Sequence, residues 1–185
     1  FLLAAAALND IELYNIVSPI LHDLAQDTAE TSHFAVWSGN KVAILARMEG
    51  TSPLKMSEGP GTVRPAYATA VGKILLAHLE PEQLERYFNE VPLEAFTPAT
   101  ITDRERMVSE LGNIRKNGIA YDDAELFAEV RCAAIPVFDF RGHLIGAIGI
   151  SGPVWRLSIS ELQGKQPTLK AAAERVSRAL GGTVQ

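Results

Sequence analysis

The sequence predicts an α+β domain in which helices pack on a central antiparallel β-sheet. Two hairpin signals predict the sheet: Gly39-Asn40 between apolar runs, and the turn at residues 139–143 between residues 130–138 and 144–151. Helical segments precede and follow these hairpins without alternating one for one with strands, which argues against a doubly wound parallel sheet. At 185 residues, 47 % of them apolar and 21 % charged, the chain suits a single domain with a sizeable core.

Residues 1–8 read as the end of a helix closed by Asn9-Asp10, which also offers a new N-cap. Leu13, Val17, Ile20, Leu21 and Leu24 share one 3.6-residue face, predicting an amphipathic helix to about Glu30 that Pro19 kinks or restarts. The first hairpin follows at residues 32–38 and 41–49, then a short extended piece at residues 54–56 and a loop at residues 57–61. A helix is expected after Pro65 as far as about Leu79, and another from Pro81 to Phe88. Thr102 and Glu105 have capping-box spacing and start a helix that Gly118 stops. A short strand at residues 119–121 and the second hairpin come next. Ser158 and Glu161 repeat the capping-box spacing, and after Pro167 a final helix aligns Leu169, Ala172, Ala173, Val176 and Leu180 before Gly181-Gly182.

With 17 Lys+Arg against 22 Asp+Glu, the net charge is −5 and no basic cluster is present, so this chain alone is a poor grip on nucleic acid. The single cysteine, Cys132, excludes a disulfide framework or a cysteine zinc knuckle, and fits a cytoplasmic location. The apolar stretch at residues 1–8 is too short to span a bilayer and lacks a signal peptide's basic flank. A chain that starts at Phe1, inside a helix, reads as a fragment whose upstream part is missing.

Few residues suggest catalysis. His22, His33, His78 and His143 form neither H-E-x-x-H nor any close pair. Ser151 superficially resembles a nucleophile elbow, but Pro153 stands where the second glycine belongs, so it reads as a strand-end serine satisfying its own turn. Cys132 lies in an apolar strand, as packing or pocket lining rather than a reactive thiol. Residues 122–125 (DDAE) lack EF-hand spacing; they form either a solvated acidic turn or one with a carboxylate turned inward onto a ligand. The glycines of residues 59–61 lead into a helix whose first turn is small, which leaves N–H groups open to an anion the size of a carboxylate. Arg64 is either a surface arginine or a partner for that anion. Tyr67 and Phe127 pack in the core or wall a pocket. The charged helix at residues 103–116 reads as a solvated face. No metal or cofactor is expected.

Together, residues 64–77 (RPAYATAVGKILLA), 117–125 (NGIAYDDAE), 130–139 (VRCAAIPVFD) and 147–153 (AIGISGP) strongly resemble the C-terminal domain of IclR-family transcriptional regulators. Glu49-Gly50 and residues 179–182 fit the same pattern. The resemblance covers nearly the whole chain from Asp10 onward. It implies a GAF-like effector-binding domain at residues 10–185, with residues 1–9 as the end of a linker helix from a missing N-terminal winged helix-turn-helix domain. It also implies a homodimer or homotetramer, a small-molecule effector, operator DNA bound only through the missing domain, and no enzymatic activity. The family's pocket positions fall on Met56, Arg64, Ala70, Val71, Asp122, Cys132, Gly149 and Ser151. Gly149 replaces a serine of members that bind small keto acids, removing a hydroxyl and adding room, and Arg64 replaces an apolar residue. These departures point to an organic acid larger than glyoxylate or pyruvate, aromatic acids included. The alternatives are a small enzyme using Cys132 or Ser151, and a purely structural oligomerisation module.

Overall fold

The computed structural model describes residues 2–51 and 59–181, with only the backbone of residues 2–8. The chain runs α1 (Leu2–Thr28), β1 (Thr31–Ser38), β2 (Lys41–Met48), β3 (Val63–Pro65), α2 (Ala70–Ala77), α3 (Pro81–Glu90), α4 (Arg104–Asn117), β4 (Ala120–Asp123), β5 (Val130–Phe138), β6 (Leu144–Pro153), α5 (Ile159–Gly164) and α6 (Gln166–Ala179). The six strands form one sheet in the order β3-β2-β1-β6-β5-β4, and every neighbouring pair is antiparallel. The expected α+β class is therefore the observed one.

Period-2 alternation gives the sheet two unlike faces. Phe34, Ile135, Ile148 and Ile150 project to one face and pack against Val17, Ile20, Leu21 and Leu24 of α1 and Leu169 and Val176 of α6. The other face presents mostly alanines, Ala35, Ala120, Ala134 and Ala147, beneath α2 and α4. Small side chains there let α2 sit close to the sheet, and all eight of its residues are buried.

Several boundaries differ from expectation. α1 runs unbroken through Asn9-Asp10 and through Pro19. Mid-helix Asn and Asp cost under about 1 kcal/mol each, less than the burial of the apolar face that follows provides. α2 begins at Ala70 instead of directly after Pro65, because Val63–Pro65 pairs with β2 as an edge strand and Thr69 supplies the cap. The intervening turn is held by a close approach: a Cβ on Gly72 would lie 2.1 Å from the Ala66 carbonyl oxygen. The cap of α4 is Asp103 rather than Thr102; its carboxylate accepts from Arg106 N at 2.8 Å. The fourth strand starts and ends later than expected, at Ala120–Asp123, and β6 continues two residues past Ser151. The first hairpin turn, the Gly118 cap and the Ser158–Glu161 capping box are as read. The extended piece at residues 54–56 lies outside the described residues.

One buried charge organises the α2 side. Lys73 is fully buried, and its Nζ donates to Glu125 Oε1 at 2.8 Å and to Glu110 Oε1 at 3.0 Å. The helix at residues 103–116 is thus not merely a solvated face, since Glu110 turns inward. Removing one member of such a group leaves the others buried and uncompensated. Lys73→Met should therefore lose about 3–5 kcal/mol of stability, read by urea denaturation at pH 7. The double variant Lys73→Met/Glu125→Gln should recover much of that loss. A change below about 1 kcal/mol, the range of a surface pair, would contradict this.

Candidate functional site

Strand register brings the candidate residues into rows on the α2 face. Asp122 pairs with Cys132, and Cys132 with Ser151, so the three lie side by side across β4, β5 and β6. Such cross-strand neighbours have Cα atoms about 4.5–5.5 Å apart. One row further along the strands, Arg47 pairs with His33, and His33 with Gly149. Above these rows stands the N-terminus of α2. Thr69 Oγ1 accepts from Gly72 N at 3.1 Å, and the Thr69 carbonyl accepts from Lys73 N at 2.9 Å. This leaves the N–H groups of Ala70 and Val71 as the orphan donors of the first turn.

Arg64, Ala70, Val71, Asp122, Cys132 and Ser151 line one cavity of about 620 Å³, counted out to its open mouth. Arg64 comes from β3, with its guanidinium carbon 5.3 Å from the ring centroid of Phe127, which also lines the cavity. Met56 lies outside the described residues. Gly149 does not line the cavity. A Cβ there would sit 2.7 Å from His33 Nε2 and 2.8 Å from the Ala133 carbonyl oxygen, so the imidazole occupies the room that the missing side chain leaves. Tyr67 is likewise no pocket wall: it is core, and its hydroxyl donates to Glu94 O and accepts from Glu94 N.

The lining residues that escaped sequence reasoning include His33 and Arg47. Alternation along β1 places His33 on the face of Ala35, a signal that was present but bland. Arg47 had none. A bulge between the pairs Phe34–Ala46 and Ala35–Ile44 leaves Leu45 unpaired, so Ile44 and Arg47 both reach the cavity although three residues apart.

The acidic turn is the inward-facing alternative. Asp122 is 3 % exposed and Glu125 6 %, and Ala124 between them takes a left-handed φ of +58°. Asp122 Oδ1 accepts from Glu125 N at 2.7 Å. Burial pushes the Asp122 carboxyl up to about 7, with the Glu125 charge adding to it and Lys73 opposing. Burial raises Glu125 as well, against the pull of Lys73. Burial lowers His33 to about 4, helped by the Arg47 charge, so its ring is neutral at pH 7. The Cys132 thiol is pushed well up by burial and by Asp122 and Glu125, which keeps it protonated. Burial lowers Arg47 and Arg64 too, but arginine starts so high that both remain cations.

Ser151 Oγ and both His33 ring nitrogens have no hydrogen-bond partner among the described residues, although each residue is only 8 % exposed. Ser151 thus does not satisfy its own turn, and no hydrogen bond links it to a base. Orphan N–H groups, an unengaged hydroxyl and two guanidinium groups suit the holding of an anion. Among the described residues no group of three His, Cys, Asp or Glu could hold a metal ion, and no helix is long and apolar enough to cross a membrane.

Residues 5–178 match the family described as bacterial transcriptional regulator IclR C-terminal. The chain is 35 % identical to the HTH-type transcriptional regulator BhcR of Paracoccus denitrificans over 86 % of its length, but spans only 57 % of that relative. It overlays the crystal structure of Thermotoga maritima IclR with a TM-score of 0.85 at 31 % identity, covering 92 % of this chain and 69 % of that one. It also overlays a double mutant of the PobR inducer-binding domain from Acinetobacter, in complex with 3-hydroxybenzoic acid. There the TM-score is 0.83 at 25 % identity, covering 89 % of this chain and 97 % of that one. These relatives are transcriptional regulators, not enzymes. The chain belongs to the IclR family of bacterial transcriptional regulators, as a C-terminal effector-binding domain.

Proposed function

We propose that the cavity under α2 takes a small organic acid larger than glyoxylate or pyruvate, aromatic acids included, and that its occupancy alters operator binding by the full-length regulator. The observation that carries this reading is the convergence, in one open cavity, of the Ala70 and Val71 N–H groups with Ser151, Asp122 and the Arg64 guanidinium. The first two donors and the Ser151 hydroxyl hold the acid's carboxylate. Protonated Asp122 donates to it, and Arg64 and Phe127 provide a charged and aromatic wall. The PobR domain bound to 3-hydroxybenzoic acid supports an acid of this kind.

In this reading residues 10–185 form the sensing domain, and residues 1–9 end a linker from a winged helix-turn-helix domain that contacts DNA in the cytoplasm. The protein works as a homodimer or homotetramer; Ile11 and Tyr14 on α1, 58 % and 40 % exposed, offer apolar surface for self-association. Ligand acts by binding one arrangement of subunits more tightly than another.

In the intact regulator, an acid that binds should shift operator affinity by about 5- to 150-fold, measured by fluorescence anisotropy of labelled DNA. Binding without any such shift would sink the sensor reading. Ser151→Ala should weaken acid binding about tenfold, the loss of one charge-assisted hydrogen bond, and leave DNA affinity unchanged when no acid is present.

The carboxyl of Asp122, near 7 in the unliganded protein, sets the pH dependence. Below that pH it donates to the bound anion; above it the ionised group has no proton to give and repels. Calorimetric titration with benzoate should show affinity falling as pH rises from 6 to 8, by up to about tenfold per unit. Asp122→Asn, which keeps a donor at every pH, should flatten the profile. A steep profile surviving in that variant would assign the titration elsewhere.

A further inference from the structure

We propose that Lys73, Glu125 and Glu110 form a charged layer behind the cavity that holds a proton on Asp122 up to neutral pH. Glu125 and Glu110 are then positioning residues for the acid, although neither lines the cavity. This rests on the reading above, in which Asp122 donates to the bound carboxylate.

Charge balance within the fold carries the inference. Three carboxyl groups gather about one fully buried ammonium. Lys73 Nζ lies 2.8 Å from Glu125 Oε1 and 3.0 Å from Glu110 Oε1, and forms no ion pair with Asp122. The Glu110 side chain is 32 % exposed and so keeps contact with water, whereas Glu125 and Asp122 are buried. The two glutamates thus take up the Lys73 charge. An ionised Asp122 would be a second buried anion without a cation of its own, which is costly.

Glu125 and Asp122 share one turn, closed by the bond from Glu125 N to Asp122 Oδ1 at 2.7 Å. That N–H favours the ionised form of Asp122. Burial and the Glu125 charge favour the protonated form and prevail, bringing the group to about 7. Glu125 Oε2 is buried with no hydrogen-bond partner among the described residues, so hydrogen bonding disperses little of the charge beside Asp122.

The other elements around Asp122 do not supply the missing cation. Cys132 on β5 stays a thiol, and His33 on β1 a neutral ring. Arg47 of β2 and Arg64 of β3 line the same cavity, but their partners do not include Asp122. Arg131 of β5 is engaged by Asp123, which alternation puts on the opposite face of β4.

Carbon-13 NMR of the ligand-free intact protein, labelled at the aspartate carboxyls and assigned with Asp122→Asn, reads the proton directly. The wild-type midpoint should lie at about 7. Glu125→Gln removes the neighbouring anion and leaves Lys73 to act on Asp122, so the midpoint should fall by at least about one pH unit. Lys73→Met/Glu125→Gln removes both charges and should bring it back up. Glu110→Gln, at the partly exposed member, should lower it by less, and decides the matter if thermal melts show Glu125→Gln unfolded. A midpoint that moves in no folded variant, or that rises in Glu125→Gln, would overturn the proposal. In calorimetric titration with benzoate, Glu125→Gln should bind at least about fivefold more weakly than wild type at pH 7, the difference narrowing toward pH 5. Equal weakening at every pH would overturn the positioning role. Benzoate that fails to bind while the NMR midpoints move as stated would overturn the organic-acid reading and leave the charged layer standing.

Discussion

Burial of the Lys73 ammonium constrains the whole α2 side of the domain. A charge taken fully out of water is tolerated only with close, well-oriented partners. Here these come from two distant segments, Glu110 of α4 and Glu125 of the turn after β4. Satisfying Lys73 therefore fixes three elements at once. Glu125 can reach it only if the turn at residues 122–125 folds inward, which needs the left-handed backbone at Ala124 and brings Asp122 to the cavity. The Thr100 hydroxyl donates to the Glu125 carbonyl and the Thr97 hydroxyl to that of Ala124, at 2.6 Å each, holding the turn from the other side.

The cavity follows from the asymmetry of the sheet. Large aliphatic side chains fill the face toward α1 and α6, whereas alanines on the opposite face let α2 descend onto the strands. The contact between Gly72 and Ala66 draws the preceding turn against the helix, whose first residues, Ala70 and Val71, line the cavity. Beyond the alanines the strand row becomes polar, with Asp122, Cys132 and Ser151 on three adjacent strands. A bundle of close-packed small residues thus gives way to a polar, open pocket between Ala147 and Ser151 of β6.

Electrostatics reconcile an acidic chain with the proposed acid-binding site. The net charge of −5 is spread over the molecule, but the lining concentrates two guanidinium groups around a neutral imidazole and a carboxyl that burial keeps from ionising fully. In a site of low dielectric such local charges outweigh distant screened ones. The same burial keeps the Cys132 thiol protonated, which suits binding rather than covalent chemistry.

Most of the architecture was legible in the sequence because it rests on local signals. The Gly39-Asn40 turn, the Gly118 cap, the Ser158–Glu161 capping box and the stripe on α6 each depend on residues a few positions apart. Six of the site candidates, Arg64, Ala70, Val71, Asp122, Cys132 and Ser151, also came from the sequence, through short motifs and their resemblance to a family, and they meet in one cavity. The sequence could not show that Lys73 is buried, that Gly149 makes room for His33, or that Arg47 faces the cavity. Each of those depends on pairing between segments distant in the chain: an ion pair across 52 residues, a contact between β1 and β6, and one unpaired residue that reverses the alternation of β2. Local pattern determined which elements form and which faces they bury; only tertiary register decided which polar side chains share the pocket, because a one-residue shift in pairing exchanges the two faces of a strand.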